Sequence, residues 1–266
     1  IGTIIASFLP VGAISHIYYA DRLNQLPLAI FGIALGVVLL PRLSKAIKQN
    51  NQTDIHSIQN RSLEFSLLIA LPSAVGLYVL AYPIIHILFE RGAFVHEDTF
   101  FTANVLSFFA LGLPAYIIIK ILITCFFARE DTRTPLYISI ISVISNIALS
   151  LMLIQSMREM GIAAATAISA WINAGLLYLI LQLQSKILLD SLFFKNTIKI
   201  IFATTILAFV ASYLSKTLFI EMNDISMLIK SLYLIGIIAI CKIIYLGLII
   251  VLKVLSFSDL KGYIKI

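Results

Sequence analysis

Ser15, Tyr18 and Arg22 recur at steps of three and four residues, so on a helix they form one stripe of hydroxyl, phenol and guanidinium. Asp21 is turned about 100 degrees from Arg22 on the same helix. A guanidinium suits a phosphate, because its planar fork donates two parallel hydrogen bonds and keeps its charge at any working pH. The competing reading is that Asp21 and Arg22 mark a membrane boundary and extend their charges toward water. Lys120 stands among Ile117, Ile118, Ile119 and Ile121. An ammonium in such a run needs a partner, a wet cavity or an interface. Ser15, Asp21, Arg22 and Lys120 are therefore the candidate binding residues.

A second polar set is milder. Ser139, Ser142, Asn146 and Ser150 line one face of an Ile-rich segment, and the next segment carries Thr166, Ser169 and Asn173 among alanines. Small residues let membrane helices approach closely, and hydroxyls and amides bond across the contact. Interhelical bonding accounts for this stripe. The sharper alternative is a weak cation site at Asn146, Ser150 and Thr166, which would lack a carboxylate. Cys125 and Cys241 each sit in an apolar run and read as inert buried thiols. His16, His56, His86 and His96 have no metal-ligand spacing, and no glycine-rich phosphate loop occurs, so no metal or cofactor is expected. No pair of carboxylates or histidines is set to move protons, which argues against a membrane-embedded transferase and for a non-enzymatic role.

The elements that must position these groups are membrane helices. Of 266 residues, 61% are hydrophobic and 12% charged, and the mean hydropathy is +1.03. A soluble domain carries about a quarter charged residues. Apolar runs near 20 residues span a bilayer as helices, since lipid requires backbone groups to be satisfied within the segment. Eight segments can be marked: 1–19, 26–40, 63–89, 100–127, 136–154, 162–183, 198–218 and 225–255. The net charge of +6 then orients the chain rather than attracting nucleic acid. Arg42, Lys45, Lys48, Arg61, Arg129, Arg133, Lys186, Lys195, Lys199, Lys253, Lys261 and Lys265 fall on one side, taken as cytoplasmic together with both chain ends. The other side holds Arg91, Arg158, Lys216 and Lys230, with Glu90, Glu97, Asp98, Glu159, Glu221 and Asp224. Pro72, Pro83 and Pro114 introduce bends within segments. The chain opens on Ile1 without a basic n-region and reads as a piece of a longer protein.

The run Tyr18-Tyr19-Ala20-Asp21-Arg22-Leu23-Asn24-Gln25-Leu26-Pro27-Leu28, closing with Leu39-Leu40-Pro41-Arg42-Leu43-Ser44, closely resembles the lipid II flippase family, MurJ or MviN. Ala70-Leu71-Pro72-Ser73-Ala74, Leu88-Phe89-Glu90-Arg91-Gly92-Ala93-Phe94 and Phe126-Phe127-Ala128-Arg129-Glu130-Asp131-Thr132-Arg133-Thr134-Pro135 are similar to it in the same order. The resemblance covers about the first 190 residues. It implies an all-α, polytopic helical bundle of eight transmembrane helices, corresponding to helices seven to fourteen of the family. On this reading residues 1–189 form the C-terminal six-helix lobe of a MATE-like transporter of the MOP superfamily, and residues 190–266 add two helices that form a groove for a lipid tail.

The function implied is translocation of undecaprenyl-pyrophosphate-linked peptidoglycan precursor across the bacterial inner membrane by alternating access. The partners implied are lipid II, membrane lipids and the missing N-terminal lobe, without nucleic acid. The resemblance places Ser15, Asp21 and Arg22 in the substrate cavity, while Gln25 stands where relatives often have an acidic residue. It also places Asn146 and Thr166 at positions of a sodium site, with Ser150 where that site has an acid. The alternatives are a related exporter of another polyprenyl-linked glycan or of a cationic drug, and a scaffold of the division machinery.

Overall fold

The computed structural model describes residues 2–220 and 226–254, with side chains at all of these except 30–37 and 218–220. Among the described residues the regular structure is entirely α-helical. In chain order the helices are α1 (Gly2–Ala6), α2 (Ala13–Lys48), α3 (Gln52–Val79), α4 (Ala81–Phe89), α5 (His96–Phe127), α6 (Arg133–Met157), α7 (Glu159–Leu183), α8 (Ser191–Ile220) and α9 (Met227–Val251).

Polar side chains at the turns start several of these helices. Asn51 Oδ1 accepts the Asp54 N–H at 3.2 Å, and Asp98 Oδ2 accepts the Val95 N–H at 2.8 Å. Asp190 Oδ1 accepts the Phe193 N–H at 2.6 Å, and Asp131 Oδ1 accepts that of Thr134 at 3.0 Å. Each satisfies a donor that the first turn of a helix leaves open. Among the described residues, six helices, α3 and α5 to α9, are long and apolar enough to cross a membrane.

The first two sequence segments are corrected. They were expected as separate crossings parted at Asp21 and Arg22, but α2 runs through both charges and through Pro27 and Pro41 without a break. At 36 residues it is about 54 Å long, enough to cross a bilayer with turns to spare. The break falls earlier, between α1 and α2, where Pro10 lacks an N–H and Gly12 adopts φ 103. Seven described helices, not eight, therefore have 25 residues or more. The described start of the chain also does not share the basic side. Ile5 and Ala6 pack with Ile162 and Ile154, at the α6–α7 turn, which is the far end of the bundle from Lys48 and Gln52. Glu221, Asp224, Lys261 and Lys265 lie outside the described residues.

α5 forms the centre, packed by α2, α3, α4 and α7. More than half of the apolar span of α5 is buried, but little of that of α6, which packs chiefly on α7 and turns its apolar side outward. The α5–α7 contact is close because it is made of small residues: a Cβ at Gly112 would lie 2.9 Å from the Ala167 Cα. At the basic end Leu43, Leu122, Phe126, Leu181 and Phe193 share one core, and at the other Ala20, Ile85, Leu106 and Ala163 share another. The last two helices dock sideways, α8 on α3 and α9 on α8 and α4. Ile200, Leu207, Ile237 and Ile249 fill that seam with Leu68, and Tyr245 donates to the Leu68 carbonyl at 2.6 Å.

Candidate functional site

The α2 stripe is solvent-facing in the isolated chain: Ser15, Tyr18 and Arg22 are all exposed. The Arg22 guanidinium lies over the Tyr18 ring, 4.7 Å from its centroid. That stacking orients the fork and leaves its edge donors free for an anion. Asp21 is half-buried on the neighbouring face and accepts a hydrogen bond from Gln25. It lies within electrostatic reach of the Tyr116 hydroxyl of α5, and Lys120 follows Tyr116 by one helical turn. Lys120 is exposed and makes no ion pair among the described residues; its carbonyl accepts from Thr124 Oγ1 at 2.8 Å. The structure thus sets the four candidates on two adjacent packed helices, Arg22 and Lys120 not touching.

The second polar set is spent between α6 and α7. Asn146 Nδ2 donates to Thr166 Oγ1 and to Ser169 Oγ, both at 3.2 Å, and Ser142 Oγ donates to the Ser169 carbonyl at 2.9 Å. Ser150 is fully buried, and its Oγ has no hydrogen-bond partner among the described residues. With its donor side on both hydroxyls, Asn146 works as an interhelical tie. No group of three or more His, Cys, Asp or Glu side chains converges as a metal site among the described residues.

Three polar clusters that sequence spacing did not reveal join helix ends. At the basic end Arg61 pairs with Glu64 and reaches Asp190 at 2.8 Å and 3.1 Å. Asn196 donates to Glu64 at 2.6 Å, and Asn60 donates to the Leu188 carbonyl at 2.8 Å. Arg129 donates to the Lys186 carbonyl at 2.9 Å, so the basic loops expected on one side do meet at one end. Beside them the Thr134 N–H holds the Asp131 carboxyl below the usual carboxylate range. At the opposite end Glu90 accepts from Thr99 at 2.6 Å and faces His86 at 2.7 Å. Burial works to raise its carboxyl, but those two hydrogen bonds, together with the charges of His86 and His96, hold Glu90 below the usual range. The third cluster puts the buried His16 between Asp98, 3.0 Å from Nε2, and Glu159, 3.2 Å from Nδ1. Separations of 82 and 143 residues gave this cluster no signal in the sequence. Along α9, an open apolar groove of about 470 Å³ is lined by Ile229, Leu232, Tyr233, Gly236, Ile237 and Ile240.

Residues 1–246 match the profile of the family described as lipid II flippase MurJ. The chain belongs to that family. A probable lipid II flippase MurJ of Rickettsia prowazekii (strain Madrid E) is 38% identical over 255 residues, covering 96% of this chain and 50% of the relative. One from Rhizobium meliloti (strain 1021) is 47% identical over 167 residues, covering 63% and 31%. A solved structure, lipid II flippase MurJ in an inward closed conformation, superposes with a TM-score of 0.71 at 31% identity, over 92% of this chain and 50% of that one. The chain spans about half the length of the flippase relatives it matches most fully. The polytopic helical bundle is accordingly a MurJ fold, and the Arg22 stripe lies on its α2.

Proposed function

We propose that this chain is the C-terminal portion of a lipid II flippase of the bacterial inner membrane, which moves the polyprenyl-pyrophosphate-linked precursor from the cytoplasmic to the outer leaflet by alternating access. The observation that carries the reading is Arg22, held open over Tyr18 on a helix whose surroundings are apolar. An exposed guanidinium that makes no salt bridge among the described residues keeps its fork available to a passing anion. Lys120 on the adjacent α5 adds a second cation. Two cations on different helices grip a dianionic pyrophosphate in one arrangement and release it as the helices shift, which supplies the difference in affinity that alternating access needs. An N-terminal lobe would complete the cavity around them. Residues 1–189 act as one lobe, while α8 and α9 lie outside it and offer the polyprenyl tail the apolar groove beside Tyr233.

The test is a flipping assay with the full-length protein. Arg22→Lys keeps the charge and loses the fork, so flipping is expected to fall about tenfold, and further for Arg22→Ala, at unchanged membrane levels. Full activity of Arg22→Ala removes the phosphate contact from the proposal. Lys120→Gln and Lys120→Leu are both expected to lower flipping, and normal transport by Lys120→Leu would make Lys120 a structural residue. Transport of a different polyprenyl-linked glycan, with none of lipid II, would favour the related-exporter reading.

A further inference from the structure

His16 is 5% exposed, and each of its ring nitrogens faces a carboxylate oxygen. An ionised carboxylate only accepts hydrogen bonds, and a neutral imidazole has only one N–H. The geometry around His16 is satisfied in full when both ring nitrogens carry protons. His86, at the same end of the bundle, is built differently: its Nδ1 faces Glu90 at 2.7 Å, and its Nε2 faces the Lys230 ammonium at 3.5 Å.

The charges around His16 close only with the proton in place. Asp98 comes from the first turn of α5 and Glu159 from the first residue of α7. Glu159 is fully buried, one of its oxygens has no hydrogen-bond partner among the described residues, and the Arg158 Nε lies 3.5 Å from that oxygen. The Arg158 guanidinium rests over Phe101, 4.9 Å from its centroid, and Phe101 in turn stacks on the His16 ring at 5.7 Å. Imidazolium and guanidinium thus balance two carboxylates, and a neutral His16 would leave the cluster with one negative charge in excess, beside the fully buried Glu159. The neighbouring α1 faces the cluster with apolar side chains, and Gly12, whose Cβ would meet the His16 ring at 3.4 Å, leaves room for it.

We propose that His16 is a proton-operated latch, in which a doubly protonated ring ties the starts of α2, α5 and α7 together, and loss of that proton releases them. The consequence for transport rests on the reading above: α2 carries Ser15, Asp21 and Arg22 and α5 carries Lys120, so the latch sets how the two candidate cations lie relative to each other. Its own test does not require transport.

The full-length protein in detergent micelles is unfolded by heat at pH 6.0 and pH 8.5. The wild-type midpoint is expected to fall by about 4 °C or more on going to pH 8.5. His16→Gln should lose most of that fall. Asp98→Asn is the more telling variant. Its amide donates to a neutral His16 Nε2 while its oxygen still accepts from Val95 N–H, so the latch stays shut at both pH values and the fall again disappears. Spin labels at Val11 and Glu97, both exposed, should show a distance that broadens at pH 8.5 in the wild type and stays narrow in Asp98→Asn. A wild-type midpoint with no fall at pH 8.5, or an Asp98→Asn protein that keeps the full wild-type fall, overturns the latch. Because none of these readouts measures flipping, failure of the latch and failure of the flippase reading are separate results.

Discussion

Each end of the bundle is tied by a polar network around a buried carboxylate, Glu64 at one and Glu159 at the other, but the two networks are centred on different cations. At the basic end Arg61 holds Glu64 and Asp190, while Asp190 also starts α8 and Asn196 completes Glu64. At the far end His16 holds Asp98 and Glu159. A guanidinium does not titrate at any pH a cell meets, so the first tie is permanent. An imidazole gains and loses its proton near neutrality, so the second can be made and unmade. The difference follows the parts joined. Arg61 joins the start of α8 to α3, whereas His16 joins α7 to α2 and α5, the two helices that carry the candidate binding residues.

The strongest break of this contrast is at the permanent tie. Arg61→Leu leaves Glu64, 8% exposed, without its charge partner, and is expected to cost about 3 kcal/mol in unfolding experiments in detergent. The loss should be at least as large at pH 8.5 as at pH 6.0, because an unpartnered buried carboxylate costs most when it is ionised; a loss confined to pH 6.0 would erase the distinction between the two ends.

Gly161→Ala strikes the titratable end without touching a charge. Its Cβ would stand 2.7 Å from the Leu153 carbonyl oxygen, a backbone atom, so the α6–α7 turn must shift and move Glu159 away from His16. A cost of about 2 kcal/mol is expected, with a shallower dependence on pH than the wild type. Wild-type stability and an unchanged pH profile would show that the turn yields freely.

The smallest effect is expected at Asp131, an ordinary cap near the basic end. Its carboxyl is held below the usual range by the Thr134 N–H, so its contribution is complete above the unfolded-state value and is lost as pH falls through the lower folded-state value. Asp131→Ala should cost about 1 kcal/mol at pH 7 and almost nothing once both states are protonated. A cost that persists into strong acid would assign the role to packing.

Much of the architecture could be read from composition. Long apolar runs demanded helices, and segments 100–127, 136–154 and 162–183 lie within α5, α6 and α7. The serine and asparagine stripe of α6 was legible because helical periodicity puts Ser142 and Asn146 on one face, where they do bond α7. The continuity of α2 through Asp21 and Arg22 has a physical cause. Hydropathy treats a charge pair as an interruption, but a helix is continued by backbone bonds and by a neighbour that shelters its polar side, here the Tyr116 face of α5. Gly12, one turn before His16, marks the actual start of α2 more faithfully than the charges do.

By itself the sequence determined that this chain is an all-helical membrane protein, which loops carry the positive charge, and that Arg22 is a cation in need of a reason. Those properties are local, or are sums over local runs, and hydrophobic burial and backbone hydrogen bonding make them independent of the path of the chain. Only the tertiary structure decided that α2 is a single helix and that Lys120 follows Tyr116 on the helix beside Asp21. It alone decided that His16 meets Asp98 and Glu159. Such pairings arise where separate helices begin at one end of a bundle, and the spacing of residues along the chain has no bearing on which helix ends become neighbours.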